Sequence, residues 1–118
     1  MKVLLVIHGY PRRYNAGSEV YTQTLAHSLS DSGCDVSIFA REEDPFLPDY
    51  HLRSETDPIR EDIPVHLINH PRSNARFQND AVDSVFGEVL ETFNPDIVHF
   101  GRLNHLSMGL PVIAKRRG

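Results

Sequence analysis

The chain has 118 residues, of which 40% are hydrophobic, with a formal net charge of −4 and one cysteine. This length and apolar content fit a single domain with a packed core. The acidic balance argues against a nucleic-acid partner, because such proteins usually present a basic face. The lone Cys34 excludes an internal disulfide framework, which favours a cytoplasmic location.

The first predicted element is a buried strand. Residues 3–7 are continuously apolar and mostly branched, which is typical of a strand covered on both faces in a parallel sheet. The run is far shorter than the ~20 residues that a membrane helix needs. It also lacks the small-residue cleavage site of a signal peptide. A loop rich in turn-forming residues follows, over residues 8–16.

A helix and a second strand come next. Apolar residues recur at helical spacing from Gly17, and Gly33 is placed to end that helix. Glu19, in the first turn, suits the positive end of the helix dipole. Residues 34–40 alternate and then become apolar, so we predict a strand there. Residues 41–62 combine acidic residues and prolines with little periodicity. We interpret this stretch as a surface excursion.

The second half of the chain continues the alternation. Residues 63–68 are predicted to form a third strand, with a proline at its entry or on an edge strand. A helix is predicted to begin at residue 79 or 80 and to end at the pair 94–95, Asn-Pro. A fourth strand over residues 96–100 and the start of another helix over 103–118 complete the pattern.

Alternating strands and helices predict an α/β fold, with a Rossmann-like parallel sheet and flanking helices in one domain over residues 1–118. Such a sheet usually has more strands than the four predicted here. We therefore expect the chain to be a truncated half of a larger fold.

This topology predicts where a ligand would bind. In open parallel sheets, ligands lie beyond the carboxyl ends of the strands, between the first strand and the strand on its other side. Those ends correspond to residues 8–17 and 100–105. Gly17 and Ser18 open a helix, whose free amides favour an anion and whose glycine allows close approach. Ordinary turn chemistry is the alternative explanation for this glycine.

Several charged and imidazole side chains fall near these strand ends. Arg12 and Arg13 could pair with phosphate or carboxylate, or remain solvated loop charges. His105 follows the fourth strand, where it could hydrogen-bond a sugar hydroxyl or transfer a proton, and His8 is its counterpart after the first strand. His99, inside an apolar strand, is interpreted as a core histidine.

No metal site and no cofactor are predicted. His66 and His70 are four residues apart on an apparent strand, where that spacing does not bring both onto one ion. The sequence contains neither G-x-G-x-x-G nor a P-loop motif, so neither a dinucleotide nor a P-loop nucleotide site is supported.

A set of short motifs nevertheless occurs in a distinctive order. Pro11 precedes Ala-Gly-Ser-Glu at 16–19, followed by Leu-Ala at 25–26, Gly-Cys-Asp-Val at 33–36 and Pro-Asp-Ile-Val-His at 95–99. This set resembles the opening of glycosyltransferase family 4. In that family, a proline loop leads to a Gly-Gly pair and a Glu at the head of the first helix. A Gly-His-x-Val turn and a Pro-Asp-hydrophobic-Val-His stretch then lead into later strands.

The resemblance implies a GT-B enzyme with two facing Rossmann-like domains, typically retaining and metal-independent. The N-terminal domain of such enzymes mainly holds the glycosyl acceptor, and the C-terminal domain holds most of the nucleotide-sugar donor. Ala16, Gly17 and Ser18 would lie at the donor diphosphate and sugar. Gly17 would be the residue of closest approach, with its amide stabilising the leaving diphosphate.

Other site residues are also carried over from the resemblance. The expected acceptor or loop contacts are His8, Tyr10, Arg12, Arg13, Gly101, Arg102 and Asn104. Many family members have a histidine where this chain has Gly101, and His105 is the candidate to replace it as the catalytic residue. Ala16 likewise stands where the family has the first glycine of its pair. The family's E-x7-E motif belongs to a C-terminal domain outside these residues, so we expect no transfer activity from this chain alone.

Two alternatives remain open at the level of sequence. The chain could be a stand-alone binding module that forms a homodimer through an unpaired sheet edge. The cations at 115–117 could also touch anionic lipid, making a cytoplasmic protein membrane-peripheral. Their simpler interpretation is a favourable interaction with a helix C-terminus and solvent.

Overall fold

The computed structural model describes residues 1–11, 17–48, 50–69 and 80–101, which form five strands and two helices. In chain order these elements are β1 (Lys2–Ile7), α1 (Gly17–Asp31), β2 (Asp35–Glu42), β3 (Leu52–Thr56), β4 (Pro64–Asn69), α2 (Asp80–Phe93) and β5 (Ile97–Phe100). The helix predicted over 103–118 lies outside the described residues.

All five strands belong to one sheet, in the order β3-β4-β2-β1-β5. β1, β2, β4 and β5 run parallel to one another, and β1 lies between β2 and β5. The α/β, Rossmann-like class predicted from the alternation is confirmed. The parallel strands need crossover connections, which α1 and α2 supply between β1 and β2 and between β4 and β5.

The stretch 41–62 differs from the predicted surface excursion. Arg41 and Glu42 extend β2, and Leu52–Thr56 forms β3, which pairs antiparallel with β4. The sheet is therefore mixed rather than wholly parallel. Because β3 is an edge strand with mainly exposed side chains, its pairing depends on the backbone and leaves little apolar pattern in the sequence.

Within the described ranges, and counting only their residues, the sheet carries a hydrophobic cluster on each face. The face covered by α1 buries eleven residues: Val3, Leu5, Ile7, Tyr10, Ala26, Val36, Ile38, Ala40, Ile63, Val65 and Leu67. The face covered by α2 buries eight: Leu4, Val6, Phe39, Ile68, Val82, Phe86, Val89 and Leu90. Alternate residues of β1 enter opposite clusters, which explains the continuous apolar run at the start of the chain.

Both described helices end as their sequences predict. After α1, Gly33 adopts a φ of 94°, and the Cys34 amide donates to the Leu29 carbonyl at 3.0 Å, so the chain turns into β2. After α2, Asn94 adopts a φ of 52° and its amide donates to the Leu90 carbonyl at 2.8 Å. Neither of these two helices is long and apolar enough to cross a membrane.

Candidate functional site

The carboxyl ends of β1 and β5 lie side by side. Val6 is in register with Phe100, and the Gly101 amide donates to the Val6 carbonyl at 2.7 Å. The predicted juxtaposition of these two strand ends is therefore confirmed for the residues that the structure describes. This is the point in an open α/β sheet at which ligands bind.

Gly101 is required by the close approach of these strand ends. A Cβ atom built on it would lie 2.7 Å from Ile7 Cδ1 and 3.3 Å from the Val6 carbonyl oxygen. It would also lie 3.7 Å from Thr22 Oγ1, which places α1 against the same point. A side chain at this position would push β5 away from β1. The sequence identified Gly101 only as a possible ligand contact and gave no sign of this packing role.

Gly17, at the start of α1, is exposed and has no such packing role. A Cβ atom built on it would find no atom of the described structure within 4 Å beyond its own chain neighbours. The amides of the first helical turn have no partners within the helix and can donate to an anion. Gly17 therefore offers open space at a positive helix terminus.

His8 and Glu19 form a pair at the junction of β1 and α1. His8 Nε2 lies 2.8 Å from Glu19 Oε1, and the side chains are only 16% and 4% exposed. A carboxylate at this distance fixes the ring orientation of a histidine. The sequence suggested a helix-dipole role for Glu19 but gave no sign of its contact with His8.

Tyr10 is buried, and its hydroxyl donates to Asp57 Oδ2 at 2.6 Å. Its side chain is 3% exposed, which leaves it little surface for the acceptor contact expected from the sequence. Asp57 also accepts the backbone amides of Ile59 and Arg60, at 2.8 and 3.0 Å. Tyr10 thus connects the residues after β1 to the segment between β3 and β4.

The pKa shifts of this pair agree with a neutral tyrosine donating to an ionised carboxylate. Burial by itself would raise the pKa of Asp57, but hydrogen bonds from Tyr10 and from the Ile59 and Arg60 amides, together with the His27 imidazole 3.1 Å away, lower it below its usual value. Burial, and secondarily the Asp57 carboxylate, raises the pKa of the Tyr10 hydroxyl.

Several predicted site residues lie outside the described part of the chain. These are Arg12, Arg13, Ala16, Arg102, Asn104, His105 and the side chain of Ser18. Their roles remain predictions. Of the expected site residues, the structure describes His8, Tyr10 and Gly101 together with Gly17, and it brings all four to the β1–α1–β5 region.

His66 and His99 are two further histidines that the structure describes. His99 is exposed on β5, so its predicted place in the core was wrong: β5 is an edge strand of the described sheet. His66 Nδ1 lies 2.9 Å from Ser54 Oγ, and burial lowers the pKa of His66. Among residues 1–11, 17–48, 50–69 and 80–101, no group of three or more His, Cys, Asp or Glu side chains could hold a metal ion.

A groove of about 220 Å³ lies between the sheet edge and α2. It is lined by Leu52, Ser54, His66, Glu88, Val89, Thr92 and Phe93. None of these residues belongs to the β1–α1–β5 region, and β3 and β5 are opposite edges of the sheet. The groove is therefore separate from the predicted ligand site.

Comparison with known proteins identifies the family of this chain. Residues 15–118 match Glycosyltransferase Family 4, a range that includes α1 and every later element. A comparison with curated proteins finds no match. The family match covers most of the chain and agrees with the α/β sheet. The chain therefore belongs to glycosyltransferase family 4, a family of proteins that transfer glycosyl groups.

Proposed function

We propose that this chain is the N-terminal, acceptor-side domain of a retaining glycosyltransferase that uses a sugar-nucleotide donor. The donor diphosphate would lie at the start of α1, and the acceptor beyond the carboxyl ends of β1 and β5. Family membership supports glycosyl transfer, and the adjacent strand ends support this location.

The observation that carries the proposal is the exposed Gly17 at the N-terminus of a 15-residue helix. When a glycosyl group leaves a nucleotide-sugar, negative charge develops on the diphosphate. Helix N-terminal amides aimed at that charge stabilise it more in the transition state than in the ground state. The absence of a side chain lets the diphosphate approach the backbone.

The contact between His8 and Glu19 places an oriented imidazole beside this helix terminus. Their 2.8 Å separation would keep the imidazole in one orientation, ready to bind a sugar hydroxyl. His105 remains our candidate for the catalytic histidine, on the family resemblance. In this scheme, His8 orients the acceptor or donor sugar from the β1 side.

The scheme also requires a second, donor-binding domain. Family resemblance assigns most donor contacts to a C-terminal domain, and positioning both substrates needs both domains. We therefore expect transfer by the full-length gene product and none by residues 1–118 alone. Turnover of a nucleotide-sugar by the isolated chain would contradict this division of roles.

The proposal is tested by Gly17→Ala in the full-length gene product. The new methyl group meets no described atom within 4 Å, so folding should be unaffected. Binding of UDP, GDP or ADP, whichever the wild type binds, should weaken about tenfold, which corresponds to about 1.4 kcal/mol. Titration calorimetry measures the affinity, and thermal unfolding checks the fold. Ser84→Ala, an exposed change within α2, is the matched control.

Unchanged affinity and unchanged transfer in Gly17→Ala would refute a donor diphosphate at this helix terminus. Equal losses in Gly17→Ala and Ser84→Ala would refute it as well, because the effect would not be specific to α1.

A stand-alone dimerisation module is the second candidate. Ile97, on edge strand β5, is 46% exposed, and an apolar edge strand favours pairing with another chain. Light scattering distinguishes the two functions. An obligate dimer that an Ile97→Lys substitution dissociates, together with no nucleotide binding, favours the module.

A further inference from the structure

The buried carboxylate of Asp57 is fixed from several directions. Its Oδ1 accepts the amides of Ile59 and Arg60 at 2.8 and 3.0 Å. Its Oδ2 receives the Tyr10 hydroxyl at 2.6 Å and the Gln23 side-chain amide at 3.3 Å. Asp57 is 2% exposed. The carboxylate cannot rotate without losing several of these bonds, so it is a rigid acceptor for Tyr10.

The same acceptor is joined to α1. Gln23 donates to Asp57 Oδ2, and His27 Nε2 lies 3.1 Å from that oxygen. Glu19, Gln23 and His27 are spaced four residues apart and therefore share one face of the helix. Glu19, at the N-terminal end of this face, contacts His8 at 2.8 Å.

One face of α1 thus holds the chain after β1 at two points. His8 is held directly through Glu19, and Tyr10 is held through Asp57. The next described residues after Pro11 begin α1 itself, at Gly17. The start of the β1–α1 connection and the helix terminus at its end are therefore tied to the same surface.

We propose that Asp57 is a positioning residue for the donor site, acting through Tyr10 to hold residues 8–11 against α1 near its N-terminus. This inference rests on the proposed function, which locates the donor diphosphate at that helix terminus. Residues 8–11, when held in place before binding, lose less conformational freedom as an anion binds, so the Tyr10–Asp57 contact strengthens binding without touching the ligand.

The tie is tested in the full-length gene product by Tyr10→Phe, which removes only the hydroxyl group, and by Asp57→Asn. We expect the dissociation constant of the bound nucleoside diphosphate, and the KM for its sugar donor, to rise about tenfold, the effect of one hydrogen bond to a charged group. The value of kcat should change much less. Amide hydrogen exchange at residues 8–10 and 17–20 should become faster in both variants.

Asp62→Asn is the matched control. Asp62 belongs to the same segment and accepts hydrogen bonds from Ser30 and Arg60, but it is exposed and does not contact Tyr10. The Asp62→Asn variant should therefore keep the wild-type nucleotide affinity, KM and hydrogen exchange. The double variant Tyr10→Phe with Asp57→Asn should weaken binding no more than the stronger single variant, because both substitutions break one connection.

The outcomes separate this inference from the proposed function. Weak binding in Gly17→Ala with normal binding in Tyr10→Phe overturns the positioning role and leaves the donor site intact. Normal binding in both variants overturns the donor site. If Tyr10→Phe lowers the melting temperature but leaves the nucleotide affinity, the KM and the hydrogen exchange unchanged, the contact is only structural. That result also overturns the inference. Tyr10→Phe keeps the test decisive even if Asp57→Asn does not fold.

Discussion

Replacing Gly101 by alanine adds one methyl group where β5 meets β1. The new Cβ would lie 2.7 Å from Ile7 Cδ1, well inside van der Waals contact, and 3.3 Å from the Val6 carbonyl oxygen. The Ile7 side chain is fully buried, so its δ-methyl group has no solvent to move into. The Val6 carbonyl already accepts the Gly101 amide at 2.7 Å, so moving the backbone weakens that hydrogen bond.

The expected cost is that of overpacking a buried site, about 2 kcal/mol in the free energy of unfolding. For 118 residues, with ~2.1 cal/mol/K of unfolding entropy per residue, this lowers the melting temperature by about 8 °C. Gly17→Ala, with no described atom within 4 Å of its new methyl group, should change stability by less than about 0.5 kcal/mol.

Thermal unfolding followed by circular dichroism measures both variants, and Ile7→Val provides the decisive comparison. This change removes the Cδ1 atom that the new methyl group would strike. Alone it should cost about 1 kcal/mol. Combined with Gly101→Ala it should cost clearly less than the sum of the two single changes. Strict additivity, or wild-type stability in Gly101→Ala, would refute the close packing of these strand ends.

Three further predictions concern stability. Phe86→Ala should cost about 3–5 kcal/mol in urea unfolding, because Phe86 is fully buried and packs against two other aromatic rings; a cost below about 1 kcal/mol would contradict that packing. Burial raises the pKa of Tyr10 in the folded protein above the value of about 10 that it has in the unfolded chain. The contribution of neutral Tyr10 to the free energy of unfolding is therefore complete below about pH 10 and is lost as the pH rises above that value. Urea unfolding between about pH 8 and 11 should show this decline, and Tyr10→Phe should reduce it. Glu42→Gln should cost about 1–2 kcal/mol, because buried Glu42 accepts two 2.7 Å hydrogen bonds from Arg53. Glu55 is half-exposed and contacts the same guanidinium at 3.3 Å, so Glu55→Gln should lower the free energy of unfolding by less than about 0.5 kcal/mol. Equal losses in Glu42→Gln and Glu55→Gln would contradict a role for burial.

Much of the sheet follows from local signals in the sequence. The apolar run at 3–7 predicts β1 because both of its faces are covered, and Gly33 and Asn94 end helices through backbone conformations that these residues tolerate. The meeting of β1 with β5 follows from the alternation of elements alone. β3 was missed because an exposed edge strand is formed by backbone pairing with β4, which leaves no periodic apolar pattern.

The sequence could place only those candidate-site residues that lie at the end of a strand or at the start of a helix. The positions of His8 after β1 and of Gly17 at the start of α1 were predicted in this way, and their roles in binding remain predictions. The tie between Tyr10 and Asp57 joins residues 47 positions apart, and no spacing rule relates them. Glu19 was seen as a favourable charge in a first helical turn, yet its contact with His8 depends on how α1 packs against β1. Such contacts follow from tertiary packing.

The pairing of β5 with β1 also sets an order of folding. The Lys2 amide donates to the Asp96 carboxylate at 2.8 Å, across 94 positions of the chain. In the β3–β4 hairpin, by contrast, Thr56 pairs with Pro64 only eight positions away. Closing the longer loop costs about 2 kcal/mol more in chain entropy, so we expect the hairpin to form early and β5 to dock late. During synthesis, β1, α1, β2, β3 and β4 all leave the ribosome before β5. The nascent chain therefore carries an unpaired β1 edge until residues 97–100 emerge, and during that interval a chaperone or a second chain can reach it.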